Sequence, residues 1–156
     1  MQVEGVDIVK AERDEDVPVI HPISELSRLM TSTDVLTICC PHTKETHHLI
    51  DSTALAALPD DAYVINISRG KVVDTAALAL ALRKGTLRGA GLDVVEEEPL
   101  PPESDLWDVP NLLITPHMAG RSPRRQERIQ AFVSENINRY IRGEPLLNLV
   151  DTTVGY

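Results

Sequence analysis

Ile65-Asn66-Ile67-Ser68-Arg69-Gly70-Lys71-Val72-Val73-Asp74 carries an apolar β-type run into a small polar turn with an arginine, and then into a helical segment. Working outward, the same alternation recurs along the chain. Short runs at 6–11, 35–39, 63–67, 91–94 and 112–115, most of them rich in Val and Ile and bounded by turn residues, read as strands. Helical patterns fall between them. Residues 23–30 place Ile23, Leu26 and Met30 at helical spacing, 52–58 follow the capping candidate Asp51, and 74–84 put Leu78 and Leu82 on one stripe closed by Gly85. Ser122 and Pro123 can cap and open a long helix whose Ile129, Phe132, Val133, Ile137, Tyr140 and Ile141 share one face, with Gly143 at its end. Because crossovers between parallel strands are right-handed, this alternation predicts an α/β fold, a doubly wound parallel sheet with helices on both faces.

A chain of 156 residues is one ordinary domain, so a function needing two domains must borrow the second. Aromatics are only 3%, which leaves the core to Ala, Val, Ile and Leu. A formal net charge of -9 argues against nucleic acid or an anionic membrane as a partner, since both repel an acidic surface. Cys39 and Cys40 are adjacent at a strand end, point to opposite faces and read as free thiols of a cytoplasmic protein. No apolar run approaches the roughly 18 residues of a membrane span, and Met1 opens no signal peptide pattern. His42, His47 and His48 lack the ligand spacing of a zinc site, so no metal is expected. His21, before Pro22, is expected in solvent, Trp107 as an anchor beneath a loop, and Arg121, Arg124, Arg125 and Arg128 as a solvated cluster.

Ligands of open parallel sheets bind beyond the carboxyl ends of the strands, which singles out polar residues that directly follow apolar runs. Four junctions qualify: Cys40-Pro41-His42-Thr43, Ser68-Arg69-Gly70, Asp93 through Glu98, and Thr115-Pro116-His117. If they converge, the planar guanidinium of Arg69 matches the carboxylate of a small acid and can polarise its ketone. Because an imidazole in general titrates near neutral pH, His117 can give a proton to the carbonyl oxygen or take it back, with Glu98 holding the ring and stabilising the imidazolium. A hydride must come from a cofactor, because no side chain supplies one.

The run Ser68-Arg69-Gly70, Val73-Asp74, Gly85, Gly89-Ala90, Leu92-Asp93-Val94, Glu98-Pro99-Leu100, Asn111 and Thr115-Pro116-His117 resembles the nucleotide-binding half of the D-isomer-specific 2-hydroxyacid dehydrogenases. Upstream, Leu49-Ile50, and downstream, Asn148-Leu149-Val150-Asp151, extend the likeness. The resemblance implies a Rossmann-like domain, incomplete because the first strand and glycine-rich loop have no counterpart here. Gly89-Ala90-Gly91 does not replace that loop, since it precedes a strand and lacks the third glycine.

The resemblance also implies roles: Arg69, Glu98 and His117 catalytic, and Cys40, Pro41, Ser68, Arg69, Asp93, His117, Ala119 and Gly120 beside the cofactor. NAD and NADP stay open, as Glu12 suits ribose hydroxyls and adjacent Arg13 a 2'-phosphate. The implied organisation is a partial NAD(P)-binding domain at 1–145 and a tail at 146–156 that returns to a substrate domain. The implied partners are a small 2-hydroxy or 2-oxo acid and a second copy in a homodimer. The alternative is a truncated, non-catalytic interaction or regulatory module derived from such an enzyme.

Overall fold

Every strand pair among the described residues is parallel, as alternating strands and capped helices require. The computed structural model describes residues 2–8, 17 and 19–152, and the chain forms two units, Met1–Pro116 and His117–Tyr156. In the first, β1 (Glu4–Asp7) pairs with β2 (Val19–Pro22) in a two-stranded sheet. A four-stranded sheet runs in the order β3 (Val35–Ile38), β4 (Tyr63–Asn66), β5 (Gly89–Leu92), β6 (Leu112–Ile114).

β2 has too short an apolar run to be read from sequence, and its place comes from pairing with β1. His21 on that strand is accordingly not left in solvent: its Nε2 lies 2.8 Å from Glu4 Oε2 across the pair. The strand expected at 6–11 is β1, which begins and ends earlier. Residues 9–11, with Glu12 and Arg13, lie outside the described residues.

The helices form where caps and stripes specify them. A 3₁₀ turn, Ile23–Glu25, leads into α1 (Leu26–Met30). α2 (Ser52–Ala57) starts at Asp51, whose Oδ1 accepts from the Thr53 and Ala54 amides, both at 2.9 Å. α3 (Thr75–Lys84) starts at Asp74, which accepts from Ala77 N, and ends at Gly85 with φ 70°, a left-handed conformation natural to glycine. Met30, Leu55, Leu58, Leu78 and Leu82 from these helices and their flanks join Ile38, Val64, Ala90 and Leu92 in one buried cluster. That cluster lies on one side of the four-stranded sheet, because strand residues alternate. Val64 and Asn66 are fully buried, whereas Tyr63 and Ile67 are exposed.

β5 starts two residues before the expected 91–94, so Gly89-Ala90-Gly91 is strand and not loop. Register explains the glycines. Gly89 lies opposite Tyr63 and Gly91 opposite Ile65, and an added Cβ would stand 3.0 Å from the Tyr63 ring or 3.2 Å from Ile65 Cδ1.

In the second unit α4 (Arg125–Arg142) begins after Arg124, and Ser122 contributes by accepting from Arg124 N. Pro123 therefore precedes the helix and does not open it. Gly143 ends it at φ 68°. Ile129, Val133, Ile137 and Ile141 form an exposed stripe at four-residue spacing. The start of the tail is tied to α4. Asn136 accepts from Leu147 N at 2.8 Å and donates to Leu147 O at 3.3 Å, while Arg139 donates to Pro145 O. Among the described residues no helix is long and apolar enough to cross a membrane.

Candidate active site

Parallel pairing brings the ends of β3, β4, β5 and β6 to one edge, with Ile38, Asn66, Leu92 and Ile114 in register. The ladder continues one step further, through Ile67 N to Ile38 O, Asp93 N to Asn66 O and Thr115 N to Leu92 O, at 3.2, 2.9 and 2.9 Å. Topology thus lines up the segments that lead to Cys40-Pro41, Ser68-Arg69, Asp93 and Thr115.

Asn66 builds the arginine turn. Its side chain, fully buried, donates to Arg69 O at 3.0 Å and accepts from Ser68 N and Ser68 Oγ at 3.0 and 2.9 Å. Its carbonyl oxygen and one amide N–H are directed at Ser68 and Arg69, so burial of its amide is compensated. Ser68 is buried by the same contacts, and the exposed Arg69 guanidinium donates to Ser68 O at 2.8 Å.

The arginine turn rests directly on the loop that carries Glu98. A Cβ at Gly70 would overlap the Val95 carbonyl and stand 2.5 Å from Glu96 N, so only glycine permits the approach. Glu98 is exposed, and its Oε1 accepts from Val95 N at 3.1 Å, which closes the loop on itself. Asp93, buried at the start of that loop, accepts from Thr115 Oγ1 at 2.5 Å. Arg69, Glu98 and Asp93 are therefore carried by segments that touch.

Cys40 is half-buried and Cys39 exposed, both as free thiols. Burial pushes the Cys40 thiol up, and the neighbouring Cys39 and Asp7 add to this against an opposing backbone hydrogen bond. Pro41 is exposed, and its carbonyl accepts from Thr46 Oγ1 at 2.7 Å, which folds the loop after β3 into a compact turn. His42 Nε2 lies 3.2 Å from His47 Nδ1, and His47 stacks on His48. Trp107 is exposed and does not lie beneath a loop as expected, yet its Nε1 donates to Pro101 O at 2.9 Å and so pins the loop after Glu98.

His117, Ala119 and Gly120 open the second unit, two residues and more beyond Thr115. All three are exposed. His117 has φ 50°, a left-handed conformation that costs a non-glycine residue roughly 1 kcal/mol. Such an outlier persists only where its surroundings determine it.

Four contributors carry no such role in the sequence reading. Asn66 announced itself weakly, as an amide in the buried phase of an apolar strand. Gly70 had no signal beyond its place after Arg69. His48 and Glu96, whose Nε2 and Oε2 meet at 3.1 Å, are 48 residues apart and show no joint pattern.

A parallel α/β sheet with polar residues gathered along its carboxyl edge has the ligand-binding architecture of doubly wound nucleotide-binding folds. Residues 1–119 match the family model of the D-isomer specific 2-hydroxyacid dehydrogenase NAD binding domain, and the chain belongs to that family. It is 45% identical to glyoxylate/hydroxypyruvate reductase A of Klebsiella pneumoniae, over 85% of this chain and 42% of that protein. With the glyoxylate reductase of Thermofilum pendens the identity is 38%, over 92% of this chain and 43% of that protein. The chain thus spans about two fifths of the length of these relatives.

Solved structures agree on the fold. A D-isomer specific 2-hydroxyacid dehydrogenase from Xanthobacter autotrophicus, in complex with NADPH and MES, aligns with a TM-score of 0.88 at 39% identity, over 99% of this chain and 63% of that one. An NADPH-dependent glyoxylate/hydroxypyruvate reductase from Sinorhizobium meliloti, in complex with NADP and sulfate, aligns with a TM-score of 0.89 at 34% identity, over 99% and 49%.

Proposed function

We propose that this chain supplies the NAD(P)-binding part, residues 1–145, of a cytoplasmic reductase of small 2-oxo acids such as glyoxylate and hydroxypyruvate, with 146–156 returning to a substrate domain. The reading is carried by the seating of the Arg69 turn on the Glu98 loop, made possible by Gly70. That contact gives an anion-gripping fork and a carboxylate a common frame. The relatives' names and their NADP(H) complexes support the same substrate class and favour NADPH over NADH. A homodimer formed through this domain belongs to the same reading.

The donor set fits the nicotinamide end of a dinucleotide. Asp93 offers a buried carboxylate as acceptor for a carboxamide N–H, while Cys40 and Pro41 offer a largely apolar wall on the ribose side. Ser68 belongs to the same end in this reading. When bound, the nicotinamide supplies the hydride.

This chain's residues do the rest. Arg69 takes the substrate carboxylate as a two-pronged ion pair and draws electron density from the adjacent ketone. His117, protonated before reduction, gives its ring proton to the carbonyl oxygen and recovers it in the reverse direction. In this reading Glu98 has the role of orienting that ring, as the family resemblance implies.

The test is turnover of glyoxylate with NADPH and NADH by the chain joined to the glycine-loop and substrate-domain segments of a relative, with binding followed by nucleotide fluorescence. His117→Ala should lower kcat by roughly 100-fold or more, the usual weight of a general acid. Turnover unchanged in that variant would overturn the assignment.

A further inference from the structure

Two residues outside the proposed catalytic set meet where three chain segments join. Glu96 presents one oxygen, Oε1, to Thr75 N at the start of α3, at 3.1 Å, and the other to His48 Nε2 at 3.1 Å. His48 in turn donates its own backbone N–H to Lys71 O at 2.8 Å. Two residues on, Ile50 N donates to Val72 O and Asp74 N donates to Ile50 O, at 3.1 and 3.0 Å. The loop after β3 is therefore laced to residues 71–74, which directly follow Arg69-Gly70. The segment Val95-Glu96 is the one on which Gly70 sits, and Val95 N is the donor that holds Glu98.

We infer that Glu96 and His48 form a positioning clamp that sets Arg69 at a fixed distance from Glu98 and ties both to the loop carrying Cys40 and Pro41. The inference rests on the proposed roles of Arg69 and Glu98 in substrate reduction. Physically, one carboxylate satisfies two donors on separate segments, and each bond removes a degree of freedom between them. His48 adopts φ 49°, which a histidine takes only at a cost, so its ring is held where Glu96 can reach it by backbone that does not relax freely. Burial alone would raise the Glu96 carboxyl. The Thr75 amide and the His48 ring outweigh it and bring the group below its usual range, as expected of a carboxylate kept charged by its donors.

The clamp is tested on the whole chain with Glu96→Ala, Glu96→Gln and His48→Gly, the last of which keeps the left-handed backbone comfortable while removing the ring. Amide hydrogen exchange is followed by NMR together with the Arg69 side-chain Nε–H resonance. With Glu96→Ala and His48→Gly, exchange at Ile50 and Asp74 should rise roughly tenfold, the effect of losing one charge-assisted hydrogen bond. Val64 and Leu92 in β4 and β5 should keep their protection. Arg69 Nε–H should shift, and Glu96→Gln, which retains an oxygen for Thr75 N, should restore most of the protection at Asp74. A uniform rise at all amides, an unmoved Arg69 resonance, or a Gln variant no better than Ala would overturn the clamp.

Glyoxylate kinetics then separates the two proposals. A clamp variant that turns over should show a raised KM for glyoxylate with a smaller change in kcat. Failure of the joined wild-type protein to bind nucleotide, with the clamp variants still showing the selective exchange pattern and the Arg69 shift, refutes the reductase reading and leaves the clamp standing as a fold device.

Discussion

Gly70→Ala is the substitution for which the structure sets the largest consequence from the smallest change. The added methyl overlaps the Val95 carbonyl and crowds Glu96 N, and all of these atoms are backbone. No flexible side chain can swing aside. Either the Arg69 turn lifts, breaking the Asn66 bonds to Ser68 and Arg69, or the 95–98 loop moves and disturbs the Glu96 and Glu98 bonds. Overpacking a rigid site costs about 1–3 kcal/mol, and the backbone obstruction places this variant near the upper end, about 3 kcal/mol. For a chain of this size that is a fall in Tm of roughly 6–12 °C.

The assay is urea unfolding followed by far-UV circular dichroism, with Gly85→Ala as control. Gly85 has nothing within 4 Å of an added Cβ and φ 70°, so its cost is conformational alone, about 1 kcal/mol. If Gly70→Ala is no more destabilising than Gly85→Ala, the close approach of the two loops is refuted.

Asn66→Ala should cost about 2–4 kcal/mol in the same unfolding assay, because it strands the Ser68 amide and hydroxyl in a buried site, and it should weaken glyoxylate binding by disordering the Arg69 turn. Glu96, held below the usual carboxylate range, contributes stability that is present above the unfolded-state value and lost as pH falls through the lowered folded value. Stability measured from neutral pH down through the carboxylate range should therefore decline, and Glu96→Gln should flatten part of that decline; an unchanged slope would contradict the pairing. With a thiol reagent at mildly alkaline pH, Cys39 should react first and Cys40 slowly, since burial raises the Cys40 thiol and leaves less thiolate; equal rates from single-cysteine variants would contradict its environment.

The parallel α/β fold was legible because its determinants are local. Asp51 and Asp74 cap where they stand, Gly85 and Gly143 stop helices by conformation, and Leu78 with Leu82 defines a buried stripe whatever it packs against. Arg69, Asp93, Glu98 and His117 could be singled out for the same reason, since each follows an apolar run at a strand end or in the loop beyond it. Elements held by pairing escaped. β2 exists through its register with β1, His21 is held by Glu4 across that pair, and the strand character of Gly89 and Gly91 depends on Tyr63 and Ile65 in the neighbouring strand. The tail also found its partner only on folding, through the amide of Asn136.

The sequence by itself determined the alternation of strands and helices from β3 onward and the residue types at the sheet's working edge, because periodicity, caps and turn residues act over a few neighbours. Only the tertiary structure decided that the Arg69 turn lies on Val95-Glu96 and that His48 and Glu96 join three segments. Those contacts depend on where separate strands end in space, and hydrogen bonds between residues 48 positions apart leave no periodic trace in the chain.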